Sequence, residues 1–132
     1  MLSPLLNNKI MKLAPKHSVS DNAPYSFETL KANATSGLVV WSGASDNTIY
    51  GDRAINWAFR AWHDSLHLKL NAPFTLDGEK LVALEQIRLI DSSELSQIIW
   101  AEVVGQVEYF NKYGNFPIDQ IAFMRNYLKG II

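Results

Sequence analysis

From Asp52 onward the apolar residues recur at three- and four-residue intervals, the spacing of amphipathic helices. Asp52 is placed to cap a first helix that runs to about Asn71, with Pro73 just beyond its end. Thr75 or Asp77 opens a second helix through Ile90. Asp91-Ser92-Ser93-Glu94 has the form of a capping box and starts a third, which runs to Tyr113 and stops at Gly114. Pro117 suits the first turn of a fourth helix ending near Gly130.

Upstream the pattern changes. Gly37 to Gly43 is β-rich, Ala44 to Asn47 has turn chemistry, and Thr48 to Gly51 is β-rich again. This predicts a β-hairpin within residues 37–51, with a loop of roughly four residues, lying against the helices because a two-stranded ribbon is marginal alone. Met1 to Ser36 is weakly patterned. Leu2, Leu5, Leu6, Ile10 and Leu13 predict one short amphipathic helix. Pro15, Pro24 and the polar run Ser18 to Asn22 predict an irregular arm, anchored by Tyr25 and Phe27. The expected fold is mostly α (α+β): a four-helix-type bundle with a small β-hairpin. Residues 37–132 form one helical domain, and residues 1–36 form an N-terminal arm whose first helix is dispensable for folding.

A chain of 132 residues is one domain by size, and its formal net charge of −1 implies no general nucleic-acid-binding surface. The absence of cysteine excludes disulfides and thiolate metal sites and fits the cytoplasm. No apolar run approaches the ~20 residues of a membrane span. The N-terminal residues lack the pattern of a signal peptide. Self-association or a protein partner stays open.

The chemistry concentrates in His63-Asp64-Ser65-Leu66-His67, which holds two of the three histidines. At i and i+4 both imidazoles lie on one side of a helix and can reach one ion. At about 100° per residue, His63 falls beside the apolar stripe Ile55, Phe59, Trp62, Leu66 and Leu70, on a polar strip with Asn56 and Arg60. In the second helix Glu79 and Gln86 fall within the apolar arc. In the third, Glu102 and Gln106 fall near the middle of the arc Leu95, Ile98, Ile99, Val103, Tyr109, Phe110 and Tyr113. Gln120 shares the apolar side of the last helix with Ile121, Met124 and Leu128.

Buried carboxylates must be paired or coordinated. His63, His67, Glu79 and Glu102 are therefore the expected ligands of one divalent metal, zinc or iron. Asn56, Arg60, Gln86, Gln106 and Gln120 would orient those ligands or bind substrate. Asp64 would serve as a base toward metal-activated water, making the protein a metal-dependent hydrolase. The competing arrangement is a metal-free hydrogen-bonded network of the same residues. In that case the polar core is structural and the protein is a non-catalytic accessory factor.

The segment Phe59-Arg60-Ala61-Trp62-His63-Asp64 with His67, then Phe74-Thr75 and Gly78-Glu79, resembles small uncharacterised bacteriophage and prophage proteins. Glu102-Val103-Val104-Gly105-Gln106, Tyr109-Phe110, Phe116-Pro117 and Asp119-Gln120 extend the likeness over about the C-terminal two-thirds of the chain. The resemblance implies a protein acting in the host bacterial cytoplasm, with a host protein as its partner if it is an accessory factor, and implies no particular activity. His63-Asp64 is also similar to the His-Asp pair of HD-type phosphohydrolases, but only His17 is available as their upstream histidine. The zinc-protease pattern is matched except that Asp64 replaces its catalytic glutamate.

Overall fold

The computed structural model describes residues 2–34 and 37–131, so the boundary drawn at Ser36 lies outside the described residues. The fold is mostly helical with a small two-stranded sheet. Its centre is the long helix α3 (Arg53–Leu70), against which α4 (Leu76–Ile90), α1 (Pro4–Leu13) and α2 (Phe27–Asn33) pack. Helix α5 (Ser93–Trp100), a π-helical turn (Ala101–Gly105) and α6 (Gln106–Tyr113) follow one another, and α7 (Gln120–Ile131) packs on the π turn and α5.

Capping chemistry sets these helices. Asp52 accepts from the Ala54 N–H at 2.7 Å, Thr75 from Gly78 at 3.1 Å and Ser92 from Leu95 at 3.3 Å. Asn71 and Asp91 close α3 and α4 in the left-handed conformation, and Gly114 closes α6 at φ 80°. Among the described residues no helix is long and apolar enough to cross a membrane.

Three expectations are corrected. The hairpin does not form: β2 (Val39–Trp41) instead pairs in parallel with β1 (Ser18–Ser20), in the register Ser18 to Val39 and Ser20 to Trp41. Parallel strands need a long crossover, and the segment carrying α2 supplies it. The second expected strand, Thr48 to Gly51, is turn structure in which Ile49 and Tyr50 are core residues. Their carbonyls are satisfied from the N-terminal segment, by the Leu2 N–H at 2.7 Å and by Asn7 Nδ2 at 2.9 Å.

The second correction concerns the N-terminal segment: after the expected short helix, here α1, it is not irregular but holds β1 and α2. Leu6 and Ile10 sit in the main apolar core with Trp62 and Val82.

The third correction concerns the third expected helix. It is not one regular α-helix, because the π turn inserts the equivalent of one extra residue at Ala101–Gly105. Leu95, Ile98, Ile99 and Val103 face inward as expected, but beyond the turn the phase slips by about 100°. Phe110 and Tyr113 consequently emerge on the surface, 41% and 57% exposed. Gly105 gives α7 room to approach this stretch: a Cβ there would lie 2.9 Å from the Tyr127 ring, which would have to shift.

Candidate metal centre

Helix α3 presents His63 and His67 one turn apart toward the first turn of α4. Glu79 Oε2 lies 2.8 Å from His63 Nε2 and 3.2 Å from His67 Nε2, and the two Nε2 atoms are 3.1 Å apart. Two ligands of one ion, each at about 2.0–2.2 Å, are separated by about 2.8–3.6 Å in octahedral or tetrahedral geometry. All three separations fall in that range, so His63, His67 and Glu79 form a group that could hold a metal ion.

The far side of each ring is also tied down. His67 Nδ1 donates to the Ala72 carbonyl at 2.7 Å, and His63 Nδ1 faces Gln86 Oε1 at 3.0 Å. A carbonyl can only accept, so His67 carries its proton on Nδ1, and the amide oxygen of Gln86 selects the same tautomer of His63. Both Nε2 lone pairs and a carboxylate oxygen then converge. Three acceptors at this distance repel unless a cation, proton or metal, lies among them.

Local packing holds the arrangement. His67 is fully buried, its ring edge-on to Phe74 at 4.7 Å and tilted against Phe27 at 6.3 Å. His63 stacks on Phe59 at 6.1 Å. The Ala72 N–H returns to the His67 carbonyl at 3.0 Å, so the turn after α3 is bonded to His67 from both sides. Gly78 lets α4 begin close to that turn, since a Cβ there would sit 1.9 Å from the Pro73 carbonyl oxygen. This places Glu79 over the histidines.

A cleft of about 410 Å³ opens beside the triangle, lined by His63, Glu79, Asp64, Glu102, Asn56 and Arg60, with Gln106 and Gln120 further along. Glu102 therefore shares the cleft but stands outside the three-residue group. Its Oε1 accepts from Gln106 Nε2 at 2.8 Å, while Oε2 is buried with no hydrogen-bond partner. Gln86 is fully buried behind His63. Asn56 Nδ2 donates to Ser45 Oγ at 2.9 Å. Arg60 donates to the carbonyls of Trp41 and Gly43 at 2.6 Å and of Ala44 at 3.3 Å, and Gln120 reaches Ala44 at 3.4 Å. The carbonyl of Ala72 and the rings of Phe27 and Phe74 carry no polar signature in sequence, and only the turn after α3 brings Ala72 and Phe74 to His67.

The electrostatics follow from burial and pairing. Burial alone would raise Glu79, but hydrogen bonds from both histidines and their charges bring it down to about 2. Burial alone would lower His63, yet its bond to Glu79 and that carboxylate's charge raise it. Burial raises Asp64 and lowers Arg60. Burial also pushes Glu102 up to about 7, against the opposing pull of Arg60 and the Gln106 amide.

Glu102 thus destabilises the fold as it ionises. Its folded value lies above the ordinary 4.5, so the native state is favoured below pH 4.5 and loses stability as pH rises toward 7. The shift corresponds to a loss on the order of 3–4 kcal/mol, at about 1.4 kcal/mol per pKa unit. Glu102→Gln is expected to remove most of it. Urea midpoints of the variant and wild type should diverge between pH 5 and pH 8 in favour of the variant. Parallel pH profiles would show that Glu102 is solvated.

No protein-family model, curated protein or solved structure matches this chain.

Proposed function

We propose that this protein is a divalent-metal protein, with zinc or iron(II) bound by His63, His67 and Glu79, and that it acts as a metal-dependent hydrolase on a small molecule held in the adjoining cleft. The observation that carries the reading is the convergence of three acceptor atoms within 2.8–3.2 Å, with both Nδ1 atoms committed elsewhere. Two imidazoles and one carboxylate are a ligand set used by hydrolytic zinc and by non-haem iron, and both leave positions for water or substrate. A divalent ion there supplies Lewis acidity and makes water acidic enough to ionise near neutral pH. Asp64 and Glu102 line the same cleft and are the residues available to hold the proton. Of the two, Glu102 is the one with a buried oxygen, its Oε2, that has no hydrogen-bond partner.

Metal content of untagged protein after zinc or anaerobic iron(II) loading and desalting tests the reading. One ion per chain is expected. Absence of bound metal under both conditions would reduce the cluster to a structural polar core.

The pH dependence gives an independent sign. In metal-free protein Glu79 stabilises above pH 4.5, and that contribution is lost as pH falls toward 2. His63 stabilises below 6.5, and its contribution is lost as pH rises through its raised folded value. Metal-free protein should therefore weaken from pH 6 to 8. The increment in stability from added zinc should instead grow over that range, because ligation requires neutral imidazoles. Thermal melts with and without zinc at each pH measure both slopes, and a zinc increment that shrinks with pH would contradict ligation by histidine.

A further inference from the structure

The cleft beside the triangle is walled by aromatic rings that the metal alone does not explain. Trp41 is 51% exposed, although a ring of its size usually buries itself. It is nevertheless held in place. The Arg60 guanidinium lies 5.4 Å from its ring centre, and Gly43 clears its edge, since a Cβ there would lie 2.2 Å from the ring. Phe116, 55% exposed, is braced by the Phe110 ring at 4.8 Å. Phe74 adds to the apolar wall, and the volume of about 410 Å³ lies in the range of small-molecule sites.

The polar lining is weighted toward acceptors. Among the described residues the Asp64 carboxylate takes part in no hydrogen bond and no ion pair. Asn56, Gln106 and Gln120 each use an amide N–H, on Ser45, Glu102 and Ala44, and leave the amide oxygen without a donor. Arg60 gives three of its five N–H groups to the carbonyls of Trp41, Gly43 and Ala44, and keeps two. In formal charge Arg60 is set against Asp64, Glu79 and Glu102, all lining the cleft. A divalent ion in the triangle brings that sum to zero, and a single proton there leaves it negative. Neither state holds a surplus of positive charge for an anion. What the acceptors lack is hydrogen-bond donors.

We propose that the ligand of this cleft is a small uncharged aromatic carboxamide, its ring against Trp41 and Phe116 and its N–H groups donated to Asp64. Its carbonyl oxygen then meets the two N–H groups that Arg60 has kept. A primary amide supplies two donors and an acceptor with no charge to desolvate. This rests on the reading above for the cleft as the ligand site, and not on the ion, because the rings and the acceptors are present without it.

Two-dimensional NMR titration at pH 8, on metal-free and zinc-treated protein, tests it with benzamide, acetophenone, benzoate and acetamide. Acetophenone keeps the shape of benzamide but replaces the donating amino group with methyl. Benzoate replaces it with charge, and acetamide removes the ring. Benzamide is expected to bind at least fivefold more tightly than each of the others in both preparations. Asp64→Leu should bring benzamide down to the affinity of acetophenone. Trp41→Ala should weaken both aromatic ligands at least threefold and leave acetamide unchanged, with circular dichroism verifying that each variant is folded. Equal binding of acetophenone to wild-type protein would overturn the donor assignment, and tighter binding of benzoate would overturn the absence of charge. Unchanged benzamide affinity in folded Trp41→Ala would overturn the placement of the ring. Zinc stoichiometry, measured separately, distinguishes the two levels. Preference for benzamide in protein that takes up no zinc supports this inference and overturns the metal reading alone, whereas one zinc per chain without that preference overturns this inference alone.

Discussion

His67→Ala is expected to abolish stoichiometric metal binding and to cost the fold about 3–5 kcal/mol. Both effects come from one fully buried ring. Its Nε2 is one corner of a three-atom site, and losing even an outer partner of a ligand costs roughly 10–100-fold in metal affinity. Losing a ligand from a set of three costs more. The stability cost has separate causes. Truncation strands the Ala72 carbonyl, which accepts from Nδ1 at 2.7 Å. A buried acceptor left unpaired costs about 1–3 kcal/mol. It also opens a cavity between Phe27 and Phe74, whose rings lie 6.3 and 4.7 Å from the imidazole.

Glu79→Gln separates the two effects. It keeps the shape of the side chain, so the fold should persist while zinc affinity falls. Elemental analysis after dialysis and urea unfolding with chelator present are the measurements. Full zinc occupancy in the His63→Ala, His67→Ala double variant would end the assignment of the site.

Deleting residues 1–13 is expected to destroy cooperative folding. Leu6 and Ile10 are 1% and 0% exposed within the main core. Burying each contributes about 1.5–3 kcal/mol. Deletion also strips partners from three carbonyls, since Leu2, Asn7 and Lys9 donate to Ile49, Tyr50 and Ile90. A domain of this size is stable by only about 5–15 kcal/mol in total, so the loss consumes much of the margin even after the entropy of ordering α1 is offset against it. Ile10→Ala alone should cost about 2–5 kcal/mol. A truncated chain with a sharp urea transition at the wild-type midpoint would show α1 to be an accessory layer.

The sequence by itself determined what local interactions decide. Caps at Asp52 and Thr75 and the glycine stop at Gly114 depend on hydrogen bonds within four residues, so the helices were legible along the chain. The capping box read at Asp91–Glu94 shifts by one residue: Ser92 caps α5 while Asp91 closes α4. The spacing of His63 and His67 put both rings on one helix side for the same reason.

Tertiary structure decided the rest. The strand at Val39–Trp41 found its partner some twenty positions upstream, a choice that strand propensity does not encode. The β-rich residues Ile49 and Tyr50 became core anchors because α1 supplies donors to their carbonyls. Glu79 meets the histidines because the bonded turn after His67 and the close approach at Gly78 bring the first turn of α4 over α3. Glu102, equally buried in character, enters the same cleft from a π turn and pairs with Gln106. Both glutamates carry the same periodic signal in sequence. Which of them reaches the imidazoles depends on a helix-to-helix placement of a few ångströms, set by packing between residues remote in the chain.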